Sequence, residues 1–263
     1  SNHPPDPIPR TSPVPVPESV LRPDRLNQLT GITAGFSTRH GGASAPPYAS
    51  FNLGLHTEDD AEAVRANRTQ LAAAFGTTPD RLATAGQVHS TTVCTADGPG
   101  HVPDCDGLVT TTPDLLLCIS AADCAAVLLA DAEARVIGAC HAGWRGAAGG
   151  IVATTIEQMA DLGAQLLRVH AYVSPCISGD CFEVGPEVAA QFDDAVVLHP
   201  PGQSKPHVDL KASIVRQLVA AGVPASHVEV SPHCTMSETD LFFSHRGENG
   251  TTGRMMGCIG LNG

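Results

Sequence analysis

Apolar residues recur along this chain in two periods. Helical spacing is clearest over residues 59–75, where Ala63, Val64, Leu71 and Phe75 share a face and acidic residues load the first turn. A second helix is expected over 147–162 and a short one over 186–192. A third is expected over 209–221, with Leu210, Ile214, Leu218 and Val219 on one side. Short apolar runs predict strands at 31–37, 81–88, 91–96, 107–110, 115–120, 125–130 and 136–140. Further strands are expected at 166–174, 195–199, 227–231, 241–244 and 255–261. Strands outnumber helices and come in runs, which predicts an α/β domain on mixed sheets rather than strict βαβ alternation. No interior linker divides residues 31–263, so they read as one domain. Residues 1–30 hold Pro4, Pro5, Pro7, Pro9, Pro13, Pro15 and Pro17 with little periodicity, and read as an extended or disordered tail.

Composition narrows the partners. The 263 residues suffice for a core without disulfide staples. The net charge of −12 includes no basic cluster, which argues against nucleic acid as a partner. No apolar run is long enough for a bilayer and no segment reads as a signal peptide, so no membrane association is expected. The nine cysteines are an odd number, and Cys118 and Cys140 sit inside apolar runs. That usage suits a reduced, cytoplasmic setting, where cysteine packs as a small hydrophobe. Cys258 reads the same way; Cys176 and Cys181 flank a Ser-Gly turn and read as packing residues rather than redox partners.

The densest chemistry lies at Cys140-His141-Ala142-Gly143-Trp144-Arg145-Gly146, between a strand and a helix. It contains the single tryptophan, and its glycines permit a sharp turn. Ligands of α/β folds collect at the carboxyl ends of strands. His89, Cys124 and His141 all follow or join predicted strands, and two imidazoles with one thiolate form a three-donor zinc set that leaves a position open. The same residues admit other readings. Cys124 with His141 as base suits a cysteine hydrolase, with Arg145 favouring the thiolate. A His₂Cys set also suits copper. A closed structural clip would need a fourth ligand such as His101 or Cys105.

Five blocks resemble the YfiH/YlmD family, some of whose members are named for laccase-like polyphenol oxidation. They are Phe36-Ser-Thr-Arg-His-Gly-Gly-Ala-Ser44 with Ser50-Phe-Asn-Leu-Gly54; Gly86-Gln-Val-His89 with Asp104-Cys-Asp-Gly-Leu-Val109 and Ala122-Asp-Cys124; His141-Ala-Gly-Trp-Arg-Gly146; Ser174-Pro-Cys-Ile177 with Cys181-Phe-Glu-Val-Gly185; and Cys234-Thr235 with Phe242-Phe-Ser-His-Arg246 and Thr252-Gly-Arg254. The resemblance implies layered mixed sheets with flanking helices, similar to the catalytic domain of cytotoxic necrotizing factor. It implies zinc, with copper as the alternative, on His89, Cys124 and His141. It also implies purine nucleoside phosphorylase activity on adenosine, inosine and methylthioadenosine, with adenosine deaminase activity beside it. Peptidoglycan editing by a Cys/His amidase and copper-dependent phenol oxidation are the other activities attached to the family.

Within that expectation Cys124, His141, Asp123 and Arg145 are the catalytic candidates, Asp123 as proton carrier. Arg39, Asn52 and Arg246 are the substrate-binding candidates, joined by Arg145 for phosphate because a planar guanidinium pairs with two oxygens. The chain departs from the family pattern at Ala125-Ala126, where a proline usually follows the Cys; at Gly247, where a second basic residue is usual; and at Cys258, where a larger residue is common.

Overall fold

Seven consecutive residues, Ala125–Asp131, are all buried. Ala125, Val127 and Leu129 enter one apolar layer, while Ala126, Leu128 and Ala130 enter another. A strand apolar on both faces must lie between two packed layers, because successive side chains point to opposite sides. Met255–Leu261 alternates in the same way. Met255, Ile259 and Leu261 share the layer of Leu128, and Met256 and Cys258 pack on the far side.

The computed structural model describes residues 18–263, and two six-stranded mixed sheets form its centre. The first runs β1 (Val20–Leu21), β2 (Ile32–Ser37), β14 (Met255–Leu261), β7 (Leu116–Ala121), β3 (Leu82–Ala85), β5 (Gly100–Val102). The second runs β13 (Val228–Val230), β10 (His170–Val173), β8 (Ala125–Asp131), β9 (Val136–Ala142), β6 (Gly107–Thr110), β4 (Val93–Thr95). A two-stranded ribbon, β11 (Val197–Leu198) with β12 (His207–Val208), completes the set. The six-stranded sheets face each other across Phe36, Leu117, Ile119, Leu108, Leu128, Ile137 and Ile259. Gly257 marks a close approach between them, since a Cβ there would lie 2.6 Å from that of Ala126.

Helices close the outer faces. After the short α1 (Asp24–Asn27), α2 (Ala61–Ala74) packs Leu71 and Ala72 on Leu116, Cys118 and Cys258 of the first sheet. Its N-terminus is capped by Asp60, whose carboxylate accepts from the Glu62 N–H at 3.0 Å. On the second sheet, α4 (Ile151–Asp161) and α6 (Leu210–Ala220) bury Ile151, Ile156, Met159, Ile214 and Leu218. Two shorter helices, α3 (Trp144–Gly149) and α5 (Pro186–Ala189), lie beside them. The layering is that of a mixed α/β domain, as the sequence predicts.

Several elements differ from expectation. The helix expected over 147–162 is two helices, broken at Gly150 with φ +88°. The segment 241–244 is not a strand. Phe242 and Phe243 are both fully buried, which an alternating half-buried strand does not allow. The strand expected over 81–88 ends at Ala85. Residues 1–17 of the expected tail lie outside the described residues. From residue 20 the chain is already folded: β1 pairs with β2, and Leu26 is fully buried. The domain therefore begins before residue 31.

Candidate active site

The antiparallel register of β8 and β9 sets Ala125 opposite Ala142 and Ala126 opposite His141. Cys124 therefore meets the end of β9 at His141 and Gly143. On the other side of β9, β6 pairs Gly107 with Cys140, so Asp106 adjoins His141, whose N–H donates to the Asp106 carbonyl at 2.7 Å. The Asp106 carboxylate is fully buried and accepts from His141 Nδ1 at 2.9 Å. It also accepts from the N–H groups of Val88, His89 and Ser90 at 3.1, 3.0 and 2.7 Å, and from the Ser90 hydroxyl at 2.8 Å. One carboxylate thus fixes one histidine directly and the loop carrying the other. Gln87 and His89 in that loop have φ of +54° and +62°, a conformation a non-glycine residue holds only when its surroundings impose it.

His89, Cys124 and His141 line one pocket. The two imidazole centroids are 5.0 Å apart. Gly143 lies between the three: a Cβ there would come within 2.9 Å of Cys124 Sγ, 3.4 Å of His89 Nδ1 and 3.7 Å of His141 Cε1. The glycine leaves a cradle that any side chain would fill. The donor set and the cradle suit a soft or borderline cation such as zinc. The donors are gathered rather than closed, since among the described residues no three His, Cys, Asp or Glu stand together as a metal-holding group. Burial pushes the His141 imidazole down, but the Cys124 sulfur and the Asp106 hydrogen bond outweigh it and raise its pKa to about 9. Burial, the neighbouring His141 and Arg145 lower that of His89 against the pull of Asp106.

The pocket encloses about 460 Å³, within the range of small-molecule sites. Trp144, Ile177, Phe182 and Leu210 give it an apolar wall, and Arg68, Arg254, His56, His101, Thr57 and Thr84 a polar one. Arg246 also lines it, its guanidinium 5.6 Å from the Phe182 ring and donating to the Glu183 carbonyl.

The other expected site residues lie elsewhere or are committed. Asp123 lines the pocket with its carboxylate saturated by Thr235 Oγ1 and Ser244 Oγ, both at 2.7 Å, and the Arg246 N–H at 2.6 Å. It anchors the 235–246 segment. Arg39 lies outside the pocket lining; it donates to Ala49 O at 3.0 Å, pairs with Glu248 at 3.0 Å and stacks on Phe243. Asn52 is fully buried, and its side chain is used by Thr57, Asp59, Gly54 and Arg254. Both hold loops rather than ligand. Arg145 is exposed, stacks 4.4 Å over Trp144 and is not among the lining residues.

Three residues went unassigned in the sequence: Asp106, Arg68 and Arg254. Arg68 carried a readable signal. It sits four residues after Val64 and three before Leu71, so it falls on the apolar stripe of α2, where a charge needs a reason.

The family model for multi-copper polyphenol oxidoreductase laccase matches residues 33–262. The chain belongs to the YfiH/YlmD family. The crystal structure of the YfiH protein of Bacillus licheniformis matches with a TM-score of 0.88 at 34% identity, covering 93% of this chain and 97% of that one. YlmD from Geobacillus stearothermophilus gives 0.85 at 34%, covering 94% and 97%. Among curated YfiH/YlmD relatives, the purine nucleoside phosphorylase of Deinococcus radiodurans is 47% identical over 234 residues, 88% of this chain and 89% of that protein.

Proposed function

We propose that this chain is a purine nucleoside phosphorylase that cleaves the N-glycosidic bond of adenosine, inosine or methylthioadenosine with inorganic phosphate. The observation that carries this reading is the pocket itself, which brings His89, His141 and Cys124 together with Trp144, Phe182 and three arginines. The relatives named as phosphorylases support it. A phosphate oxygen attacks C1′ of the ribose, the C1′–N9 bond breaks, and the base leaves with its electron pair and gains a proton. Trp144 and Phe182 offer faces against which a purine can stack. Asp106 holds the His141 ring in one orientation, and Gly143 keeps the space before it open. His89, Cys124 and His141 would hold zinc, which when bound supplies Lewis-acid stabilisation of developing negative charge.

Deamination is the weaker part of the family expectation. It needs a carboxylate to move a proton, and Asp123, the one acidic residue among those lining the pocket, already accepts three hydrogen bonds from the 235–246 segment. One arrangement favours a second reading. Cys124, His141 and Asp106 stand in the order nucleophile, base and orienting acid, as a cysteine amidase of the peptidoglycan-editing kind requires.

Chromatography of adenosine incubated with phosphate and purified protein tests the two. Phosphorolysis yields adenine and ribose 1-phosphate, is lost on chelation, returns with zinc and is abolished in Cys124→Ala. No turnover by zinc-replete protein would remove the phosphorylase reading. The amidase reading requires activity that survives chelation and is lost on alkylation of Cys124.

A further inference from the structure

The pocket concentrates positive charge in an acidic protein. Its lining has three arginines against one acid, in a chain of net charge −12. The acid, Asp123, is spent on three donors. None of the three arginines pairs its guanidinium with a carboxylate among the described residues, and two of them, Arg68 and Arg254, are half-buried. Arg68 is half-buried on α2, and its Nε donates to Leu53 O at 2.9 Å, the only protein hydrogen bond its guanidinium makes among those residues. Arg254 is half-buried just before β14. Its backbone N–H is held by Asn52 Oδ1 at 2.8 Å, and one terminal nitrogen donates to Thr252 O and Gly253 O at 3.0 and 2.9 Å. That fixes one edge of the guanidinium and leaves the rest for a ligand.

Two other half-buried arginines do pair with carboxylates. Arg39 pairs with Glu248, and Arg168 with Asp131 and Glu133. Two partly desolvated guanidinium groups line this cavity with a single carboxylate, Asp123, which is bonded to other donors, so the excess positive charge favours a bound anion. Burial lowers both pKa values; the charges of Cys124 and Asp123 act against it at Arg254, and those of Cys118 and Cys258 at Arg68. Gly54 secures its path, since a Cβ there would lie 2.8 Å from Arg254 Cγ.

We infer that Arg68 and Arg254 form the subsite for a tetrahedral oxyanion, inorganic phosphate, on the side of the pocket built by the first sheet and α2. The identity of the anion rests on the phosphorolysis reading; the existence of the subsite rests on the two unpartnered arginines. Each planar fork can donate to two phosphate oxygens. The attacking group then enters from the first sheet, and the nucleoside base lies toward Trp144 and Phe182. Arg246, exposed and stacked on Phe182, falls on the base side.

The test is a melting titration of the zinc-loaded protein with inorganic phosphate at constant ionic strength, beside the phosphate KM of phosphorolysis. The wild type should gain stability saturably with phosphate. In Arg68→Met and Arg254→Met both the midpoint of that gain and the phosphate KM should rise about tenfold or more, with the nucleoside KM little changed. Arg65→Met, exposed on the same helix as Arg68 and outside the pocket lining, should match the wild type. If Arg68→Met does not fold, Arg68→Lys keeps the charge and stem while losing the fork, and should show the same weakening. Phosphate binding that is lost in both variants, in a protein without phosphorolysis, upholds the subsite and removes the activity. Phosphorolysis with an unmoved phosphate KM in both variants overturns the subsite and leaves the activity standing. Stabilisation by adenosine 5′-monophosphate but not by free phosphate assigns the site to a phosphate ester and overturns the inference.

Discussion

Asp106 does more for the site than any residue that touches the pocket. Its two oxygens serve four donors on the 88–90 loop and one on His141. Asp106→Asn keeps the shape but turns one acceptor into a donor facing N–H groups. The expected result is a 10–100-fold loss of zinc affinity or kcat, as for other groups that orient a histidine ligand, read by metal content and steady-state rates. An unchanged kcat with full zinc would contradict the role. Sequence reading reached His89, Cys124, His141 and Arg246 because their residue types announce chemistry. It missed Asp106, whose acid side chain looks like turn residues throughout the chain until the β6–β9 register sets it beside His141. It assigned Arg39 and Asn52 to substrate because a guanidinium and an amide suit a loop brace as well as a ligand, and only their partners tell the two apart.

At the scale of elements, periodicity recovered α2, α6 and the buried strands β6 to β9 to within a few residues. It failed where an apolar run is buried without a ladder. Phe242 and Phe243 are packed by a segment anchored through Ser244 and Arg246 to Asp123, and nothing in the run itself distinguishes that from a strand. It also missed β1, β5 and β12, each of two or three residues and too short to show a period. The pairing of the two sheets is a property of elements together. Gly257 permits contact with Ala126, so Gly257→Ala should force the sheets apart or bend β14. A loss of about 1–3 kcal/mol is expected by denaturant unfolding. A stability equal to wild type would mean that the interface has slack the packing does not show.

For the whole molecule, acid sensitivity has an identifiable contributor away from the pocket. Asp131 is fully buried at the β8–β9 turn. Burial would raise its pKa, but N–H groups of Gln165 and Ala134 and the Arg168 guanidinium outweigh it and hold the value below the usual carboxylate range. A depressed folded pKa contributes stability above the unfolded value, roughly 3.9, and loses it as pH falls toward the folded one. Asp131→Asn should therefore cost about 2 kcal/mol near neutrality, with the gap to wild type closing below about pH 4. Urea midpoints across that range measure it; a gap that widens in acid would reverse the sign. The order of strands in the two sheets was not readable from sequence, because parallel and crossover pairings join segments far apart in the chain, such as β2 with β14.

Arg254 stands at the start of a strand in one sheet and Arg68 on the helix covering it, whereas Cys124 and His141 belong to the other. The reach from cation to sulfur is therefore metered by the hydrocarbon sandwiched between the two slabs. Trimming a methyl group deep in that filling, out of sight of any substrate, would shift the attacking oxygen relative to its target and register as slower turnover.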